Sequence, residues 1–98
     1  MFEIKMTEAG IVSVGGRLDA AQAVKAQEFL DQVDGQCVLD LSKLEYVSSA
    51  GLGVLLKTHK RLMGSGSGIK LINVNHHIHD IFRYSGFDKL FEIVPAAS

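Results

Sequence analysis

The chain has 98 residues, 47% of them hydrophobic and 21% charged, and its formal net charge at pH 7 is −1. This size and composition predict one globular domain over residues 1–98, and the near-neutral charge gives no reason to expect nucleic acid or an anionic membrane surface as a partner. The single cysteine, Cys37, excludes an internal disulfide. No apolar run has the length of a transmembrane helix or the form of a signal peptide, so we expect a cytoplasmic protein without membrane insertion.

The N-terminal residues predict a β-hairpin. Apolar and polar side chains alternate over residues 2–6, as in a half-buried strand, and residues 11–14 begin a second strand after a turn. Gly15 and Gly16 interrupt this second strand, where we expect a β-bulge or a close approach of backbone.

A helix and a buried strand are predicted after the hairpin. Asp19 is suited to cap a helix over residues 20–33, because its carboxylate can accept hydrogen bonds from the unpaired amides of the first turn. Gly35 closes that helix. The apolar residues 37–39 predict a buried strand that ends near residues 40–41.

A loop and a second helix are predicted next. We expect residues 42–47 to form the loop, and the helix to begin at Ser48 and Ser49 and to reach about Met63. Helical spacing predicts an inner, apolar stripe on this helix. Its members are Leu52, Leu55, Leu56, His59 and Leu62.

The last third of the chain repeats the alternation of strand and helix. After a glycine- and serine-rich connector, residues 69–74 predict a strand and residues 76–84 a third helix that ends at Gly86. A short final strand over residues 90–94 stops at Pro95. This order predicts an α/β domain with a mixed sheet of four or five strands and helices packed mostly on one face, and it leaves the strand order open.

The segment from Asp40 to Gly53 carries most of the functional information. It runs from the end of a buried strand into the first turn of a helix, which presents unpaired amide donors and the positive end of the helix dipole. A serine there can cap the helix and, if phosphorylated, brings a charge of about −1.5 to −2 close to those donors. Gly51 and Gly53 each disfavour a helix by about 1 kcal/mol relative to alanine. Either they leave, with Ala50, a low surface for another protein, or they fit tight packing against the sheet or a frayed first turn.

Two motifs resemble those of a known family. Asp40-Leu41-Ser42, followed by Val-Ser-Ser-Ala-Gly-Leu-Gly-Val-Leu-Leu over residues 47–56, resembles the signature of STAS domains, in particular the bacterial anti-sigma factor antagonists. Gly16-Arg17-Leu18-Asp19 resembles the Gly-x-Leu-Asp that the family has between its second strand and first helix. The element order and the length are similar over essentially the whole chain.

The resemblance implies a switch by exchange of partners. In family members that switch, the phosphorylated residue lies two positions before the Gly-Leu of the signature, which here is Ser49. The unphosphorylated protein would bind an anti-sigma factor with serine kinase activity, phosphorylation would release it, and a serine phosphatase would reset it. The protein would then be a kinase substrate and a binding module, not an enzyme, with ATP bound by its partner and no cofactor of its own. Many antagonists have Asp where this chain has Ser48, which makes Ser48 an alternative phosphorylation site.

The resemblance also predicts where the partner binds. The expected contact surface consists of Gly16, Arg17, Asp19, Ser48, Ser49, Ala50, Gly51, Gly53 and Val54. Two other kinds of function are alternatives: a non-switching STAS subunit of a lipid-transport or stress-signalling complex, and an enzyme or small-ligand domain. A stable partner unaffected by phosphatase treatment would favour the first alternative, and turnover of a substrate would favour the second.

The histidines predict neither a metal site nor a catalytic site. His76, His77, His79 and Asp80 are residue types that bind metals, but they lack the spacing of a zinc helix such as His-Glu-x-x-His, so a polar helix start is favoured. His59, on an apolar stripe, is expected to be a satisfied, partly buried histidine. A nucleophilic serine needs a base and an orienting acid near it, and no histidine lies close to Ser49 in the sequence.

Overall fold

Strands and helices alternate along the chain and build a mixed β-sheet in the computed structural model, which describes residues 1–96. In chain order the elements are β1 (Glu3–Met6), β2 (Val12–Leu18), α1 (Ala20–Leu30), β3 (Cys37–Asp40), β4 (Leu44–Val47), α2 (Ser49–Met63), β5 (Ile69–Val74), α3 (His76–Ser85), a 3-10 turn (Phe87–Lys89) and β6 (Glu92–Pro95). The predicted α/β class is confirmed.

The main path of the sheet has the order β1-β2-β3-β5-β6. β1 and β2 form the predicted antiparallel hairpin, and the other strand pairs are parallel. The part of the sheet that the structure describes has a sixth strand, β4. This strand lies off the main path and pairs with β2. The prediction of a loop over residues 42–47 is therefore wrong for Leu44–Val47. Four residues show too little alternation to be recognised as a strand, and their pairing depends on a distant part of the chain.

The strand β2 changes its parallel partner at a bulge. Val12 and Ser13 pair with β3, whereas Arg17 and Leu18 pair with β4. The register shifts between Gly16 and Arg17, which confirms the irregularity predicted for the double glycine. This change of partner places the carboxyl ends of β2 and β4 side by side, immediately before the helices α1 and α2.

One face of the sheet is buried under the helices. Cys37 and Leu39 of β3 pair with Ile69 and Leu71 of β5, and all four side chains are buried. The residues between them face the other way and are half-buried, as the alternation of a strand requires. The helices complete the core with Ala26 and Leu30 of α1, Leu52, Leu55 and Leu62 of α2, and Ile78 and Phe82 of α3.

The helices α1 and α2 run parallel to each other. Gln27 donates to the Thr58 hydroxyl at 3.2 Å, and the Arg61 guanidinium donates to the carbonyls of Leu30 and Val33, each at 2.8 Å. Residues later in α1 thus contact residues later in α2, which means that the two helices have the same direction. Both N-termini therefore lie at the same end of the sheet. Arg61 also accounts for a difference from the prediction, because it satisfies carbonyls at the end of α1, which stops at Leu30 instead of residue 33.

The helix α3 and the strand β6 are present as predicted, but the strand begins later than expected. Gly86 ends α3 with a φ of 80°, in the left-handed region that favours glycine. The 3-10 turn then delays the last strand, which begins at Glu92 instead of residue 90 and includes Pro95. Proline is tolerated there because β6 is an edge strand, where one N–H per two residues has no partner in the sheet.

Candidate functional site

Asp40 anchors the turn that leads towards the helix α2. One carboxylate oxygen accepts from the Ser42 main-chain N–H at 2.9 Å, and the other accepts from the Asn73 side chain at 3.2 Å. Burial alone would raise the pKa of Asp40, but these hydrogen bonds and the nearby charge of Lys43 outweigh it and lower the pKa below its usual value. Asp40 is therefore a charged structural anchor between β3, β5 and the turn before β4.

Ser48 is the N-cap of α2. Its hydroxyl accepts from the Gly51 N–H at 3.2 Å, and its carbonyl accepts from Leu52 at 2.8 Å. Its own N–H donates to the carbonyl of Leu18 at 2.9 Å, which ties the helix start to the end of β2. The side chain is half-buried. Capping thus occupies the hydroxyl of this first serine.

Ser49 is the first residue of α2, and its side chain is exposed. Its hydroxyl makes no hydrogen bond to another residue within the described range 1–96. Ala50, which follows, is also exposed, and the first turn of α2 contains no acidic side chain. Consequently the two adjacent serines differ in their roles: Ser48 holds the helix start, while the Ser49 hydroxyl is presented to solvent.

The two glycines of α2 serve different purposes. A Cβ on Gly51 would lie 2.7 Å from the Leu18 carbonyl oxygen and 2.8 Å from a methyl group of Val47, so this glycine is required by close packing against β2 and β4. A Cβ on Gly53 would meet nothing within 4 Å, and Gly53 is exposed. Of the two interpretations of these glycines, tight packing against the sheet is right for Gly51. A low, open surface fits Gly53.

Gly16 also has a structural role. Its φ is +82°, and a Cβ would lie 1.9 Å from the carbonyl oxygen of Met1. Any other residue would be strained in this backbone conformation and would displace the N-terminal segment. Gly16 is buried, and it shapes the bulge that directs Arg17 and Leu18 towards β4.

Arg17 and Tyr46 form an aromatic and cationic pair beside the helix starts. They are directly paired across β2 and β4, and the Arg17 guanidinium lies 4.4 Å from the centre of the Tyr46 ring. Sequence reasoning missed Tyr46 because it assigned that position to a loop. Asp19 lies two residues after Arg17, and its prediction as the cap of α1 is confirmed. Its carboxylate accepts a hydrogen bond from the Gln22 N–H, at 3.2 Å, at the start of that helix.

The match to a known family covers almost all of this architecture. A family model described as "Mlab, STAS domain" matches residues 3–95. The chain belongs to the STAS domain family. The residues that resemble the family's motifs lie where three strands end: 16–19 lie at the end of β2, 40–42 lie at the end of β3, and 47–56 run from the end of β4 into α2.

Relatives of this STAS domain include anti-sigma factor antagonists. The anti-sigma-B factor antagonist of Listeria monocytogenes is 33% identical over 86 residues, which cover 84% of this chain and 75% of that protein. An anti-sigma factor antagonist from Mycobacterium paratuberculosis has a TM-score of 0.80 and 25% identity, over 97% of this chain and 85% of that chain. The Bacillus cell fate determinant SpoIIAA in its phosphorylated form has a TM-score of 0.71 and 17% identity, over 100% and 93%.

The structure narrows the contact surface predicted for this STAS domain. Gly16, Gly51 and Val54 are buried in the domain, Val54 with only 6% of its surface exposed. Their part in binding a partner stays a prediction. The predicted members that reach the surface are Arg17, Ser49, Ala50 and Gly53, which are exposed, and Asp19 and Ser48, which are half-buried.

The histidines lie away from the start of α2 along the chain. His76 and Asp80 of α3 are 3.4 Å apart, and Arg83 reaches the same carboxylate at 3.2 Å. Over residues 1–96, no three His, Cys, Asp or Glu side chains are grouped so that they could hold a metal ion. None of the helices in that range is long and apolar enough to cross a membrane.

His59 lies on α2 as a half-buried, hydrogen-bonded side chain. Its Nδ1 accepts from the Ile69 N–H at 2.9 Å, and its ring meets that of Phe91 edge-on with 4.9 Å between centres. Leu56, another member of the predicted stripe, is also half-buried, whereas Thr58 is buried although the stripe did not include it. The expectation of a satisfied, partly buried histidine is confirmed.

Proposed function

We propose that this STAS domain is an anti-sigma factor antagonist that binds an anti-sigma factor with serine kinase activity, and that phosphorylation of Ser49 weakens this binding. The observation that carries the proposal is the exposed Ser49 hydroxyl in the first turn of α2, next to a serine already used as the cap. The class of partner is supported by relatives such as the anti-sigma-B factor antagonist of Listeria monocytogenes.

The start of α2 can accommodate Ser49 both with and without a phosphate. The N–H groups of Ser49 and Ala50 are the first two of the helix, so they have no acceptor within it. A phosphate on Ser49 would bring negative charge to these donors and to the positive end of the helix dipole, which is favourable. Phosphorylation is therefore expected to leave the domain folded, as a reversible switch requires.

Release of the partner follows from desolvation. Ala50 and Gly53 present little more than backbone around Ser49, so a partner can approach closely and exclude water from the hydroxyl. A phosphate in the same position has to lose its hydration against a surface without matching donors, which costs several kcal/mol. Since 1.4 kcal/mol is a tenfold change in affinity, the phosphorylated form would bind weaker by orders of magnitude.

The choice of Ser49 over Ser48 rests on accessibility and on the cap. A kinase needs to reach the hydroxyl, and Ser49 is exposed whereas Ser48 is half-buried. A phosphate on Ser48 would also disturb the hydrogen bond with the Gly51 N–H. Under this proposal the protein acts as substrate and binding module in the cytoplasm, its partner binds ATP, and a serine phosphatase restores the binding form.

A second candidate function is a constitutive STAS subunit of a lipid-transport or stress-signalling complex. Two observations favour it: Ser48 stands where many switching antagonists have Asp, and the matching family model is described as "Mlab, STAS domain". In this function the same surface around Ser49 binds a partner without regulation by phosphate.

The experiment that separates the two is phosphopeptide mapping of the protein isolated from its own cells, from growing and from stressed cultures. Phosphate on Ser49, with an occupancy that differs between the two cultures, is the expected result. Absence of phosphate in both cultures, with a partner still co-purifying, would replace the proposal by the constitutive subunit. Phosphate on Ser48 alone would retain the switch and overturn the assignment of its residue.

A further inference from the structure

The outer edge of β1 is a second surface with the features of a binding site. β1 lies at the end of the sheet, and no other strand within residues 1–96 pairs with its outer side. In the hairpin, the Thr7 N–H donates to the Ile11 carbonyl at 2.8 Å. Hydrogen-bonded and non-hydrogen-bonded pairs alternate along an antiparallel ladder, so the register makes Ile4 and Met6 non-hydrogen-bonded positions. Their main-chain N–H and C=O groups therefore point away from β2.

We infer that β1 pairs with β1 of a second copy of this chain, antiparallel and around a twofold axis at Ile4. This register places Glu3 opposite Lys5 of the second copy, and Lys5 opposite Glu3. It also places the half-buried Ile4 side chains of the two copies opposite each other. Opposed residues within β1 thus carry opposite charges or are apolar, which stabilises antiparallel pairing. Met6 lies opposite Phe2, which precedes β1 and is buried in its own domain.

Other symmetric registers lack this complementarity. An axis at Glu3 would place the two glutamates opposite each other, and an axis at Lys5 would do the same for the two lysines. At Ile4, the main-chain groups that point outward form the hydrogen-bonded pairs of the new ladder. Glu3 and Lys5 then occupy its non-hydrogen-bonded pairs, where side chains across two strands are closest. Backbone direction also excludes axes at Glu3 and Lys5, because the main-chain groups of these residues point towards β2, and it therefore agrees with the charges.

The two charged side chains and Met6 are available to a second copy. The Glu3 and Lys5 side chains are 62% and 56% exposed, and their charged groups are 3.8 Å apart within one strand. Met6 is a large apolar residue that is 49% exposed. A homodimer through identical surfaces is the commonest symmetric assembly, and an edge strand supplies the unpaired main-chain groups for it.

The opposite edge of the sheet lacks these features. Pro95 in β6 has no N–H to donate to a further strand. A symmetric pairing centred on Ile93 would place Glu92 opposite Val94, so that a charged side chain would face an apolar one without a partner of opposite charge. The contrast between the two edges assigns the self-association to β1.

The test is sedimentation equilibrium with charge-reversal variants. The wild type is expected to be a monomer–dimer mixture that shifts towards dimer as the concentration rises towards about 1 mM. Glu3→Lys and Lys5→Glu each create two like-charge pairs and are expected to weaken the dimer about tenfold. Mixed in equal amounts, these two variants place Lys opposite Glu at both positions, so they are expected to form a heterodimer although neither self-associates as the wild type does.

The control is Glu92→Lys, which changes the net charge as Glu3→Lys does but on the other edge of the sheet. It is expected to dimerise like the wild type. A wild type that remains monomeric up to about 1 mM would overturn the inference. So would a dimer whose affinity is the same in Glu3→Lys, Lys5→Glu and the wild type, because association would then use another surface.

Discussion

The N-terminal turns of α2 and α3 are capped in the same way but present different surfaces. The Ser48 side chain accepts from the N–H three residues later at 3.2 Å, and the Asn75 side chain does the same at 2.9 Å. After its cap, α2 begins with the small residues Ser49 and Ala50, and α3 with two exposed histidines. The cap explains why each helix begins where it does, whereas the size of the next side chains decides what can approach it.

The charges near the two helix starts differ as well. In α3, the Asp80 carboxylate lies 3.4 Å from His76 and 3.2 Å from Arg83, so it pairs with side chains of its own helix. The first turn of α2 carries no acidic residue, and its exposed hydroxyl is left to solvent. One helix start is thus occupied by its own side chains, and the other is open to a modification or a partner.

The largest effect on stability is expected from Gly51→Ala, with Gly53→Ala as its matched control. The new methyl group at Gly51 would meet the Leu18 carbonyl at 2.7 Å, so overpacking should lower the free energy of unfolding by about 1–3 kcal/mol. At Gly53 the space is open, and alanine should raise it by up to about 1 kcal/mol. Urea denaturation measures both values. Equal changes in the two variants would contradict the distinction between a packing glycine and a surface glycine.

The substitutions Asn75→Ala and Ser48→Ala measure how much each cap contributes to the free energy of unfolding. Each should lower the free energy of unfolding by about 1 kcal/mol through the lost cap. Asn75→Ala should cost more, because the Asn75 amide also donates to the Leu44 carbonyl at 3.2 Å. The same denaturation series measures both, and a larger loss for Ser48→Ala would reverse the comparison.

Replacement of the exposed serine should hardly change stability. Ser49→Ala removes a hydroxyl without a partner in the described part of the chain, so the free energy of unfolding should stay within about 0.5 kcal/mol of the wild type. A loss as large as that of Ser48→Ala would show that Ser49 contributes to the cap, and it would weaken its assignment to the switch.

A smaller effect, limited to acidic pH, is expected on the free energy of unfolding from Asp40, which holds the turn before β4 and α2. Its pKa is lowered from 3.8 in the folded protein, so its charge stabilises the fold above that pH, and this contribution is lost as the pH falls through the folded pKa. The difference in unfolding free energy between the wild type and Asp40→Asn should therefore be constant near neutral pH and shrink below about pH 4. A difference that stays the same down to pH 2 or so would exclude the carboxylate charge as its source.

Local chemistry made part of this molecule predictable. Asp19, Ser48 and Gly86 mark helix boundaries through side-chain hydrogen bonds or a left-handed φ, which depend on neighbours within a few residues. The irregularity of β2 at the double glycine was predicted for the same reason, as a β-bulge or a close approach of backbone. The structure confirms these features, and the caps at Asp19 and Ser48 mark where α1 and α2 begin beside the candidate site.

Contacts between distant parts of the chain were not predictable from the same patterns. The strand β4 exists because β2 changes partner at its bulge, so Tyr46 and its contact with Arg17 were missed. Gly51 and Gly53 look alike in the sequence, and only the atoms opposite them show that one is enclosed and the other open. Burial of Gly16 and Val54 likewise depends on the distant parts of the chain that cover them, so the sequence patterns did not predict it.

The most direct test of the proposed switch is the affinity of Ser49 variants for the partner that co-purifies with the wild type. Ser49→Ala should bind that partner as the wild type does, and Ser49→Asp should bind at least about tenfold weaker, because its charge would be desolvated in the contact. Ser48→Asp is the matched control: an Asp cap keeps the helix start, so binding should change less. Equal affinities of Ser49→Asp and Ser49→Ala, with both proteins folded, would contradict the central claim.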